Sequence, residues 1–122
     1  MDFSLIGEKL RAVEAENLRV RLMKQAETHR IAERMPGIPI ACQINATETS
    51  DHIERAWFGG EGTVIAFFEN DNVMVRATVS FLLDFLAQRE PWQDWDVCIF
   101  DYDVTWCAAI THNDEAKFVR FA

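Results

Sequence analysis

Apolar positions along the first part of the chain recur at helical spacing: Ile6, Leu10 and Val13, then Leu18, Leu22 and Met23, Ala26 and Ile31. The stretch that carries them, SLIGEKLRAVEAENLRVRLMKQAETHRIAERM, is rich in Ala, Leu, Glu, Lys and Arg, and Pro36-Gly37 follows it as a stop. The pattern predicts a helical segment over residues 1–35, either one bent helix or two in succession, because the stripe drifts near Asn17. Its charges are mixed in sign along the outer face, with Arg30 three places before Glu33, as on a solvated helix surface. Such a stripe fits a helix laid over a sheet; a helix that forms a homodimer or contacts a partner is the alternative.

Beyond the rigid connector Pro36-Gly37-Ile38-Pro39 the period changes. IACQI reads as a short buried strand and ATETSD as a loop, while DHIERAWF has no clear period. TVIAFFE is β-branched and aromatic, hence a strand; Asn70-Asp71-Asn72 is a turn and VMVRA the next strand. Phe81, Leu82, Phe85 and Leu86 restore helical spacing until Pro91, which puts one helix at about 78–90. Trp95 to Phe100 and Val104 to Thr111 then read as two strands joined at Asp101-Tyr102-Asp103, with Lys117 to Phe121 as a last edge strand. The order predicts an α+β fold, with a long N-terminal helix and a second helix packed on a mostly antiparallel sheet.

The hairpin register decides which of its side chains share a face. A four-residue loop sets Cys98 opposite Cys107, Ile99 opposite Trp106, Val97 opposite Ala108 and Trp95 opposite Ile110. One face is then apolar and inward, and the other, with Asp96, Cys98, Phe100, Thr105, Cys107 and Ala109, is mixed and partly exposed. A three-residue loop shifts every pairing by one.

A chain of 122 residues, 49% hydrophobic, fits one domain over 1–122, with the sheet and its helix in 38–122. No apolar run approaches the roughly 18 residues that span a bilayer, and MDFSLIGEKLRAVEAE lacks a basic leader and a continuous apolar core. A cytoplasmic protein without a membrane partner is the expectation. Three cysteines without CxxC spacing argue against a disulfide framework and a zinc ribbon, and Cys42 reads as a plain core thiol.

Charge sharpens the picture. The formal net charge of −8 argues against nucleic acid as a partner, since that binding is driven by Lys and Arg displacing counterions from phosphates. Residues 1–35 hold seven basic and six acidic side chains, net +1, whereas residues 36–122 hold five basic and fourteen acidic, net −9. From Glu90 to Glu115 there are seven acids and no Lys or Arg, interspersed with Trp92, Trp95, Phe100, Tyr102 and Trp106. Aromatic anchors ringed by like charge describe a surface for a basic protein, where charge speeds encounter and rings supply the contact energy.

Catalytic and metal patterns are weaker. Asp101 and Asp103 are candidate magnesium ligands, but Asp is also the ordinary residue of a hairpin tip, and Asp114 and Glu115 lie at the far end of the following strand. His112 and Cys107 are five apart on one strand and point to opposite faces, which disfavours a Cys/His pair. His29 and His52 have no second ligand at a useful spacing, and no GxSxG, HExxH, phosphate-loop or dinucleotide motif occurs. No catalytic residue, cofactor or metal is expected. A small metal-dependent hydrolase using Asp101, Asp103 and His112 is the runner-up, and it requires His112 to return to the turn.

The stretch DWDVCIFDYDVTWCAAITHND, with VSFLLDFLAQ before it, resembles the C-terminal half of small acidic bacterial immunity proteins of polymorphic toxin systems. In those proteins a strand and an Asp-rich turn lead to a Trp-bearing strand ending in Thr-His-Glu. Trp106, Thr111 and His112 match, while Asn113 stands where the Glu would be. The resemblance spans about a third of the chain. It implies a non-enzymatic protein that occludes a basic toxin. The residues expected to meet that partner are Trp92, Asp96, Asp101, Tyr102 and Asp103.

Overall fold

Val64 and Ile65 are adjacent in sequence, both buried, and belong to different cores on opposite faces of one sheet. That double coverage explains the continuous apolar runs of the central strands. The computed structural model describes residues 5–29, 37–44, 54–59, 62–88, 95–112 and 115–121. Among these the strands are β1 (Glu8–Lys9), β2 (Thr63–Phe68), β3 (Val73–Thr78), β4 (Val97–Phe100), β5 (Trp106–Ile110) and β6 (Ala116–Arg120). They form one sheet in the order β1-β3-β2-β4-β5-β6, and every neighbouring pair is antiparallel. The helices are α1 (Ala12–Thr28), α2 (Ile40–Ile44) and α3 (Val79–Ala87), with 3₁₀ turns at Arg55–Phe58 and Glu69–Asp71. The fold is α+β, as the sequence order predicts.

α1 and α2 cover one face. Leu18, Leu22, Met23 and Ala26 of α1, and Ile40, Ala41 and Ile44 of α2, pack on Ile65, Phe67, Met74, Cys98, Phe100, Cys107 and Ala109. α3 and the Arg55–Phe58 turn cover the other face, where Leu82 and Phe58 meet Val64, Ala66, Phe68, Val97, Ile99, Trp106 and Ala108. The face of the hairpin expected to be partly exposed is therefore buried at Asp96, Cys98, Phe100, Cys107 and Ala109, because the N-terminal helices lie on it, while Thr105 stays exposed. Trp95 stacks on Phe85 at 5.0 Å between ring centroids and meets Phe68 edge-on, and Trp106 meets Phe58 edge-on. These two tryptophans, with Phe100, are core and not surface anchors.

Two local expectations are corrected. IACQI is helix α2 and not a strand: Glu69 reaches across with both carboxylate oxygens to accept from the N–H groups of Ile40 (2.7 Å) and Ala41 (2.8 Å), satisfying donors that a helix start leaves open. The N-terminal segment is not helical from its start, since Glu8–Lys9 is an edge strand paired to Arg76 and Val75, and helix begins at Ala12. Gly7 permits this approach, as a Cβ there would lie 2.1 Å from the carbonyl oxygen of Arg76. α1 is 17 residues long, and its expected stop at Pro36, with the Arg30 and Glu33 pair, lies outside the described residues. No helix among the described residues is long and apolar enough to cross a membrane.

The hairpin register also differs. Phe100 pairs with Cys107, Ile99 with Ala108, Cys98 with Ala109 and Val97 with Ile110, a shift of two residues from the four-residue loop. A shift of two preserves the alternation of faces, so the side chains expected together stay together. The loop is longer because Asp101 captures it: its carboxylate accepts from Thr105 N–H (2.7 Å), Thr105 Oγ1 (2.6 Å) and Trp106 N–H (3.4 Å), while its carbonyl accepts from Val104 N–H (3.0 Å). Val104 turns with φ 55°, rare for a β-branched residue, and its buried side chain and the bond from Gln25 Nε2 to its carbonyl (3.1 Å) hold it there.

Candidate functional site

The two ends of β4 carry the two groupings that bear on function. At the turn end, Arg21 of α1 donates to the carbonyls of Tyr102 (3.4 Å) and Asp103 (3.1 Å), and Gln25 one turn later takes Val104. The tip is thus pinned on α1. Arg76 of β3 lies over the Tyr102 ring at 5.6 Å from the centroid. Tyr102 remains 51% exposed, beside Val13 (75%) and Val20 (45%) of α1, and Asp103 is exposed. Arg11, Glu14, Asn17 and Arg21 line the shallow groove between them. The acids of the tip have no basic neighbour in sequence, but Arg76 lies over the ring, Arg21 bonds the carbonyls of the tip and Arg11 lines the same groove, so the local charge is mixed.

At the other end of β4, Asp96 is 2% exposed and makes no outward surface. Its Oδ1 accepts from the His112 backbone N–H (3.0 Å), from His112 Nδ1 (2.9 Å) and from Cys42 Sγ (3.3 Å); an ionised carboxylate only accepts, so Nδ1 carries the hydrogen. Asn70 fixes the rest, donating Nδ2 to Oδ2 (3.2 Å) and accepting the Asp96 N–H (2.7 Å). Burial opposes charge on Asp96, yet the bonds from His112, Cys42 and Asn70 together hold its carboxyl below the ordinary value. The expectation of Asp96 as a charge offered to a partner is corrected: its lone pairs are engaged inside the molecule.

Cys42 is half-buried on α2, so it is not a plain core thiol. Burial first, then the bond to Asp96 and the charges of Asp96, Glu69 and Glu115, push its pKa up to about 12. It stays protonated at neutral pH and is no ready nucleophile. Cys98 and Cys107, fully buried under α1 and α2, are free thiols as well. Burial, partly offset by the two helix N–H groups, raises the carboxyl of Glu69.

Of the residues expected to form a partner surface, Tyr102 and Asp103 stand at the rim, Asp101 is the staple of the turn, Asp96 lies beneath the surface, and Trp92 falls outside the described residues. Asp101 and Asp103 do not meet His112, which sits at the opposite end of β4 beside Asp96; the three-residue hydrolase site expected as a runner-up is not assembled. The grouping of Cys42, Asp96 and His112 was missed for two reasons. The two-residue register shift brings Thr111, and with it the adjoining His112, alongside Asp96, and Cys42 joins them from helix α2, where a strand was expected. Comparison with protein-family models, curated proteins and solved structures finds no match.

Proposed function

We propose that this protein is a non-enzymatic binding module for a basic protein, and that the contact surface is the Tyr102–Asp103 rim with the adjoining outer face of α1. The observation that carries the reading is the half-exposed Tyr102 ring beside exposed Val13 and Val20, on a tip already pinned by Arg21 and Gln25. A rigid aromatic anchor loses little freedom on binding, which is where interface energy concentrates. The basic partner follows from the chain's net charge of −8, since three arginines temper the charge at the rim itself. The resemblance to immunity proteins makes a toxin the expected kind of partner, neutralised by covering its active surface.

Capture from a lysate of the source cells, at low and high salt, tests this reading. Wild type should recover one basic protein, with recovery falling at high salt. Tyr102→Ala should weaken that binding by about 1–3 kcal/mol, as loss of a central aromatic anchor does. Equal recovery by Tyr102→Ala and by an Asp103→Lys variant would remove the rim from the interface. Mass in solution separates this reading from a homodimer built on α1.

A further inference from the structure

We propose that Cys42, Asp96 and His112 form a binding site for one divalent transition-metal ion of the zinc class. The thiol sulfur, a carboxylate oxygen and an imidazole nitrogen lie within 4.8 Å of one another, and this is a cluster of three metal-ligating side chains among the described residues. They come from three places in the chain: α2, the residue before β4, and the segment after β5. This inference stands apart from the binding surface, which lies at the other end of β4.

Two of the three ligand separations come close to the edges of a tetrahedral site, and the third is no more than 4.8 Å. With metal bonds of about 2.3 Å to sulfur and about 2.0–2.1 Å to nitrogen and oxygen, neighbouring ligand atoms sit about 3.3–3.5 Å apart. Here Sγ to Oδ1 is 3.3 Å and Nδ1 to Oδ1 is 2.9 Å, so small outward movements open the space for an ion. The donor set mixes soft sulfur, borderline nitrogen and hard oxygen, which suits zinc and disfavours magnesium or calcium. In the metal-free protein the same atoms share hydrogens; on binding, the Cys42 thiol proton leaves to solvent, His112 passes through exchange with water from its Nδ1–H to its Nε2–H tautomer and stays neutral, and the sulfur, Nδ1 and carboxylate lone pairs turn to the ion.

The surroundings are those of a supported site. Asn70 orients the Asp96 carboxylate by two bonds, and Glu69 caps α2, which sets the height of Cys42. The charges of Glu69 and Glu115 reach Cys42, adding anionic field for a cation. His112 has a side chain 44% exposed, which leaves a path from solvent and a fourth position for water.

Titration of the purified, metal-free protein with zinc chloride in a calorimeter, and with cobalt chloride in a spectrophotometer, tests the assignment. The expected result is one ion per chain with a Kd on the order of 1 μM or tighter, and cobalt spectra with a thiolate charge-transfer band and the intense visible bands of a tetrahedral ion. Cys42→Ser should abolish the charge-transfer band, and His112→Ala should weaken binding by more than about a hundredfold. His29→Ala, remote on α1, should bind as wild type. Circular dichroism of each metal-free variant establishes that it is folded. Absence of stoichiometric binding by wild type, or binding undiminished in both Cys42→Ser and His112→Ala, would overturn the proposal.

Discussion

His112 reaches the same oxygen of Asp96 twice, through its backbone N–H at 3.0 Å and its Nδ1 at 2.9 Å. Two bonds from one residue to one carboxylate oxygen clamp the segment leaving β5 onto the segment entering β4. With Asn70 and Cys42 on the same side chain, a single buried carboxylate ties four parts of the chain together.

Removing that carboxylate leaves four donors facing a void. Asp96→Ala should lower the unfolding free energy by about 2–4 kcal/mol, the range for buried groups left without partners. Urea denaturation followed by tryptophan fluorescence measures it; a loss within about 0.5 kcal/mol, the range of ordinary surface changes, would contradict the hub.

Acid stability should carry two opposite signatures. Asp96 is held below the ordinary carboxylate value of about 3.9, so the unfolded chain takes the proton first, and the stability this group contributes above about pH 4 is lost as pH falls through its folded value. Glu69 is raised, so its contribution is present below about pH 4.3 and lost as pH climbs through its folded value. Relative to wild type, Asp96→Asn should flatten the stability profile below about pH 4 and Glu69→Gln should flatten it just above. Profiles parallel to wild type in both variants would contradict these shifts.

Cys42 should resist alkylation despite its partial exposure. A thiol with a pKa of about 12 holds far less thiolate at pH 8 than a free cysteine, and its greater intrinsic nucleophilicity recovers only part of the difference, leaving the rate about a hundredfold lower. Iodoacetamide labelling followed by mass spectrometry gives the rate, and Asp96→Asn should raise it by removing the charge beside the sulfur. Labelling of the wild type at the rate of a free thiol would contradict this.

Gly7→Ala should destabilise the protein by about 1–3 kcal/mol, since the new methyl meets the backbone carbonyl of Arg76 and cannot be accommodated by a side-chain rotation. Thermal unfolding reads the loss, and hydrogen exchange should show the Leu10 amide, bonded to the Met74 carbonyl at 2.9 Å, exchanging faster. Wild-type protection at Leu10 would mean that β1 tolerates the side chain.

Periodicity by itself determined the α+β class, the body of α1, strands β2 and β3, helix α3, and β6 as an edge. Those elements carry local signals: a repeated apolar stripe, β-branched runs, and turn residues between them. The hairpin's two faces were also legible, because alternation survives a shift of two residues. What tertiary structure alone decided was which surfaces are covered and which distant residues meet. A run such as VCIF is apolar on both sides whatever lies over it, and only the packing of α1 and α2 made its second face core. IACQI became helix because Glu69, 29 residues from Ile40, supplies its cap, an interaction with no trace in local sequence. The true register rests on the staple by Asp101, and that register, with α2, brings Cys42, Asp96 and His112 to one point.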